Sequence, residues 1–140
     1  MKRLFYLGIF LLLSTVYACG GGIFYYSERG DIDGVKPYIE KGEIERTNGY
    51  GFTPLLVATY YGHTGLVEYL VENGAEVDRQ ENGGWTPLMY AAYYNYKEIA
   101  KILLEHNASL TIKNSEGKNA VDIAEENDRE TILRMMKERQ

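Results

Sequence analysis

One block of the sequence returns at a spacing of 33 residues, and no other feature restricts the fold so sharply. Gly51-Phe52-Thr53-Pro54-Leu55 recurs as Gly84-Trp85-Thr86-Pro87-Leu88, and the same step reaches Gly117-Lys118-Asn119-Ala120-Val121. Further along, Asn73-Gly74-Ala75 becomes His106-Asn107-Ala108 and Val77 becomes Leu110. The apolar set Leu66, Val67, Leu70 and Val71 becomes Ile99, Ala100, Leu103 and Leu104. A period that holds across a whole unit implies stacked supersecondary units, none of which can bury its apolar face alone.

Each unit has a local physical logic. Thr53 and Thr86 have the side chain of a helix N-cap, and Pro54 and Pro87 fall at the first helical position, where no amide donor is needed. A short helix follows, with Leu55 and Ala58, or Leu88, Ala91 and Ala92, on its buried side. Gly62-His63 breaks it. A second helix runs from about Thr64 to Asn73, its apolar residues forming a single stripe. Gly74 ends that helix in a left-handed conformation, as Asn107 does one unit later. The polar stretches Asp78 to Gly84 and Lys113 to Gly117 read as turns between units.

This pattern resembles the ankyrin repeat. Thr-Pro-Leu opens two units, Gly62-His63 matches the inter-helix turn, and Leu-Val-Glu-Asn-Gly-Ala at 70–75 matches the end of the second helix. The resemblance implies an all-α solenoid of stacked helix-turn-helix units joined by short turns or hairpins. It covers residues 23–137, with units at about 23–48, 49–81, 82–114 and 115–137. The first unit is degenerate: Gly30-Asp31, Val35, Ile39 and Gly42 align with Gly62-His63, Val67, Val71 and Gly74 at a step of 32. In the last, Asn119 and Ala120 replace Thr-Pro, and the outer residues are polar, as a terminal unit requires. The third unit departs at its inter-helix turn, with Asn95 in place of glycine and Tyr96 in place of the turn histidine.

The first residues read as an address. Met1-Lys2-Arg3 is a short basic start, and Leu4 to Val16 is almost wholly apolar but too short to span a bilayer. It suits the apolar region of an export signal. The segment closes on Val16-Tyr17-Ala18-Cys19, which resembles the lipobox of bacterial lipoproteins. The expectation is a signal peptide at 1–18, lipidation of Cys19, and a glycine-rich tether at 19–22. The domain would be exported and membrane-anchored, facing the periplasm or the cell exterior. An ordinary signal peptidase could cut the same bond and release a soluble exported protein, and retention of the segment as an N-terminal anchor is a third reading. A cut before Cys19 removes Lys2 and Arg3, making a chain of formal charge −5 more negative still. Such a domain needs its lipid, not charge attraction, for membrane contact.

The acidic balance, 20 carboxylates against 15 basic side chains, also argues against nucleic acid as a partner. One cysteine and two histidines supply no disulfide and no zinc framework. No Gly-x-Ser-x-Gly elbow, HExxH or phosphate loop occurs. His63 falls on the turn histidine of the resembled family, a structural position, and His106 sits where it can meet terminal carbonyls of a helix. No enzymatic activity, cofactor, metal or small-molecule substrate is expected.

The aromatic positions carry the functional expectation. In ankyrin repeats the turns and the exposed side of the first helix line the concave surface that contacts partners. Matching the motif places Tyr50, Phe52, Tyr60, Tyr61, Trp85, Tyr93 and Tyr94 on that surface, at positions where the repeat's packing does not demand an aromatic. Such residues bury much area for little lost rotamer freedom. The expectation is a protein partner with some basic character held on these rings. Two other uses of the rings stand beside it: extension of the core between adjacent units, and self-association of a structural envelope component through its repeats.

Overall fold

The computed structural model describes residues 22–139, and among these the backbone forms eight helices and no strand. The expected signal peptide and Cys19 lie outside the described residues. The helices come in four pairs: α1 (Ile23–Arg29) with α2 (Ile32–Glu40), α3 (Pro54–Tyr60) with α4 (Thr64–Glu72), α5 (Pro87–Tyr94) with α6 (Lys97–Glu105), and α7 (Ala120–Glu126) with α8 (Glu130–Lys137). First helices pack on first helices along the stack, and second helices on second helices.

The start of each first helix is set by its cap. The Thr53 hydroxyl accepts from the Leu56 amide and the Thr86 hydroxyl from the Met89 amide, each at 3.3 Å. Pro54 and Pro87 follow directly. Asn119 does the same work in the fourth unit through a reciprocal capping box with Asp122, both bonds 2.9 Å. α1 is capped by Gly22 with no side-chain bond.

Among the described residues, those with positive φ fall into three repeating registers. Gly30, Gly62, Asn95 and Asp128 follow the first helices; Gly42, Gly74 and Asn107 follow the second; Gly51, Gly84 and Gly117 turn the connecting loops. Asn95 (φ 61°) therefore keeps the turn that the missing glycine put in question, because a short polar side chain tolerates the left-handed region.

The residue after the first of these registers locks each unit onto the one before. The His63 ring lies over Gly30, where any β-carbon would come within 2.8 Å of it, and its Nε2 bonds the Glu28 carbonyl at 2.7 Å. Tyr96 covers Gly62 in the same way, and Arg129 donates through Nη2 to the Tyr93 carbonyl at 3.2 Å. Histidine, tyrosine and arginine thus perform one task at one position.

The expected stripes form the core. Leu55, Ala58, Leu66, Val67, Leu70 and Val71, with their counterparts Leu88, Ala91, Ala92, Ile99, Ala100, Leu103 and Leu104, are all buried. Burying each large aliphatic side chain contributes about 1.5–3 kcal/mol, which stabilises the stack only because adjacent units share it. The second helix of the degenerate first unit is the weaker one. Pro37 removes an amide donor from its interior, and Gly34 is required by the Tyr26 ring packed against it.

Candidate functional site

The loops between units are built to one plan. Asn48, Glu81 and Asn114 occupy equivalent places, and each side chain accepts from the amides two and four residues on. Asn48 Oδ1 takes Tyr50 (2.9 Å) and Phe52 (3.1 Å), the Glu81 carboxylate takes Gly83 (2.9 Å) and Trp85 (3.0 Å), and Asn114 Oδ1 takes Glu116 and Lys118 (both 3.0 Å). Main-chain bonds from Asn48 to the Phe52 carbonyl and from Glu81 to the Trp85 carbonyl close the turns. Successive loops are tied together, since the Asn82 amide donates to the Tyr50 carbonyl at 3.0 Å and the Ser115 amide to the Gly83 carbonyl at 3.0 Å. Glu81 is 5% exposed, an unusual place for a carboxylate that two backbone amides make tenable. Sequence reasoning missed these three residues, although they recur at the repeat spacing.

The rigid loops present Tyr50, Phe52 and Trp85 beside the rings that α3 and α5 carry. Phe52, Leu56, Val57 and Tyr90 form a second, smaller core, with Phe24, Tyr50, Tyr60, Trp85 and Tyr94 packed against it. Tyr60 is the hub, with Phe52, Tyr61, Tyr90 and Tyr94 at ring-centroid distances of 6.2, 5.3, 5.6 and 5.5 Å, all close to edge-on. Trp85 lies 5.0 Å from Tyr90 and meets Tyr93 edge-on at 5.7 Å. Tyr93 and Tyr94 are edge-on at 5.0 Å, and Tyr94 stacks on Tyr96 at 5.6 Å. Edge-on and offset pairs of this kind contribute about 0.5–1.5 kcal/mol each beyond area burial.

One expectation is corrected here. Phe52 is 2% exposed, so it is not a surface aromatic. It sits under Tyr60 and against Tyr90 of the following unit, extending the core between repeats. Tyr90, which sequence reasoning did not place in the group, is 8% exposed and shares that floor. Above it, Tyr50, Tyr60, Trp85, Tyr93 and Tyr94 are partly exposed, and Tyr61 is the most open, at 39%.

The phenols feel this crowding. Partial burial, helped by the nearby Glu28 and Tyr60, pushes the Tyr61 hydroxyl up to about 12. Burial and the hydrogen bond with Tyr60 raise Tyr94 well above the usual tyrosine range, and burial raises Tyr96 as well. At neutral pH these rings are uncharged, presenting apolar faces with hydroxyl tips.

His106 bonds the Ile102 carbonyl through Nδ1 at 2.9 Å, the helix-end contact its position implied. Among the described residues, no three His, Cys, Asp or Glu side chains gather as metal ligands.

The comparisons with known proteins agree with this architecture. A family model described as "Ankyrin repeats (3 copies)" matches residues 23–114, well over half of the chain. No curated protein matches it. Repeated caps, repeated left-handed turns and stacked helix pairs coincide with that match: the chain belongs to the ankyrin-repeat family.

Proposed function

We propose that this domain is a non-enzymatic binding module, exported and lipid-anchored through Cys19, that holds a partner protein on its concave face. Ankyrin repeats are generally protein–protein interaction modules. The contact residues are Tyr50, Tyr60, Tyr61, Trp85, Tyr93 and Tyr94, with Phe52 and Tyr90 as their buried support. The observation that carries the proposal is the mutual packing of these rings. Tyr60, Tyr61, Trp85, Tyr93 and Tyr94 each have a neighbouring ring 5.0–6.4 Å away, Tyr50 packs against the small core, and all six keep part of their surface open. Side chains already ordered in the free protein lose little entropy on binding, so the area they bury translates into affinity.

The test is partner retention from an extract of the native host by the mature domain. A variant with Tyr60, Tyr61, Tyr93 and Tyr94 changed to Ala is expected to lose partners that the parent keeps, provided both give the same helical circular dichroism. A folded variant that retains every partner sinks the proposal. Mass spectrometry of the mature N-terminus tests the anchor, since acylated Cys19 is the expected species and an intact Met1 overturns both export and anchoring.

A further inference from the structure

Aligning the units by their left-handed turns puts Glu28, Tyr60, Tyr93 and Glu126 at one position of the four first helices. The loop position facing it holds Phe52, Trp85 and Lys118 in the last three units. The same cross-contact is made three times. Phe52 meets Tyr60 edge-on at 6.2 Å, Trp85 meets Tyr93 edge-on at 5.7 Å, and Lys118 Nζ meets Glu126 Oε2 at 2.6 Å. An aromatic pair in the two inner units thus gives way to an ion pair at the C-terminal end, and Glu28 stands in that row at the other end.

Each end of the row carries a carboxylate beside cations that are already engaged, and at the C-terminal end one of these is Arg129, held on the Tyr93 carbonyl. Lys118 is shared between Glu126 and Glu116 (3.8 Å), two carboxylates to one ammonium. At the N-terminal end the Arg29 guanidinium lies 3.7 Å over the Tyr25 ring and donates to the Tyr25 carbonyl. Glu28 enters no ion pair among the described residues, and burial raises its carboxyl despite the adjacent Arg29. Between these ends, α3 (Pro54-Leu-Leu-Val-Ala-Thr-Tyr60) and α5 (Pro87-Leu-Met-Tyr-Ala-Ala-Tyr-Tyr94) contain no charged residue.

Resting on the aromatic-face reading above, we infer that the occupant of this face is an extended segment of the partner protein, apolar through its middle and bearing a lysine or arginine at each end. Its length follows from packing. Three steps between adjacent helices, each about 8–10 Å, separate Glu28 from Glu126 by roughly 30 Å. An extended chain rises about 3.3 Å per residue, so about eight residues lie between the two cations.

Trp85 is the chain's sole tryptophan and sits in the middle of the row, so its emission reports occupancy without a label. The probes are three synthetic peptides sharing a leucine- and proline-rich middle of about eight residues, ended by arginines, by glutamates or by uncharged glutamines. The arginine-ended peptide is expected to bind the mature domain about tenfold more tightly than the glutamate-ended one, with an advantage that shrinks as salt is added. Glu28→Gln should weaken the arginine-ended peptide roughly two- to fivefold and leave the glutamine-ended one unchanged. Equal affinity for all three peptides, or indifference to Glu28→Gln, overturns the charge assignment while leaving the aromatic face intact. Full-strength binding to a folded Tyr60→Ala, Tyr93→Ala variant puts the ligand elsewhere and overturns both. No change in emission with the arginine-ended peptide overturns the inference as well.

Discussion

Phe52→Leu separates the buried support of the aromatic face from its contact surface. The ring is 2% exposed and packs edge-on against Tyr60 at 6.2 Å and tilted against Tyr90 at 5.9 Å. Leucine keeps the site apolar but loses both ring contacts, about 0.5–1.5 kcal/mol each, and the imperfect refill of the space costs about 1 kcal/mol more. The expected loss is about 2–4 kcal/mol, a large part of the 5–15 kcal/mol typical of a domain. Urea unfolding followed both by circular dichroism and by Trp85 emission measures it, and coincidence of the two probes checks that the stack unfolds as one unit. Partner retention is then assayed in the cold, where the variant is still folded, and should match the parent. Tyr61→Ala, at the most exposed ring, should do the reverse, costing under about 1 kcal/mol of stability while weakening retention. If Phe52→Leu leaves the urea midpoint unchanged and abolishes retention, Phe52 is a contact residue and the reasoning from its burial is wrong.

Three further outcomes follow from the same structure. The Thr59 hydroxyl is fully buried in α3 with no hydrogen-bond partner among the described residues, so Thr59→Val, which keeps shape and β-branching, should stabilise by about 1 kcal/mol; a lower urea midpoint would show an unseen partner. Asn95→Gly should leave stability unchanged or raise it slightly, whereas Asn95→Ala should cost about 1 kcal/mol, because alanine gains nothing in the left-handed region (φ 61°); equal effects from the two would mean the side chain, not the backbone, is what matters there. Tyr61 keeps its proton to about pH 12 when folded, against about 10 for a free tyrosine. A raised phenol favours the protonated folded state, so its contribution is fully present below pH 10 and is lost as pH rises from 10 to 12; Tyr61→Phe should flatten that stretch of the stability–pH curve, and an unaltered curve would count against the shift.

The frame was largely legible because each rule it obeys is local. Threonine before proline, glycine or asparagine where φ turns positive, and a stripe of aliphatic residues can all be read within one unit. What was not legible depends on the next unit. Phe52 and Trp85 occupy the same loop position and invite the same reading, yet Tyr90 of the following unit helps to bury Phe52 while Trp85 stays partly open. The inter-unit lock escaped for the opposite reason. His63, Tyr96 and Arg129 share no chemistry, so a search for recurring residues reads Tyr96 as a departure and passes over Arg129. Glu81 looked like one more polar turn residue until its two backbone amides accounted for its burial.

That contrast separates frame from face. At frame positions a change of residue preserves the geometry: Asn95 for glycine, Asn119 for threonine, Glu81 for asparagine, each keeping the φ, the cap or the paired amides. At the row through Tyr60 and Tyr93 the chemistry itself changes, from carboxylate to phenol and back, and it does so according to place in the stack. Solvation of the terminal unit explains part of this, because an end unit must carry charge. It does not explain why the loop partner changes in step, so that Lys118 meets Glu126 where Trp85 meets Tyr93. Packing asks only that each pair fill the gap between loop and helix, and an aromatic pair would fill it in every unit. A pattern set by position along the face, and held across two separate segments, is what the bound segment proposed above requires.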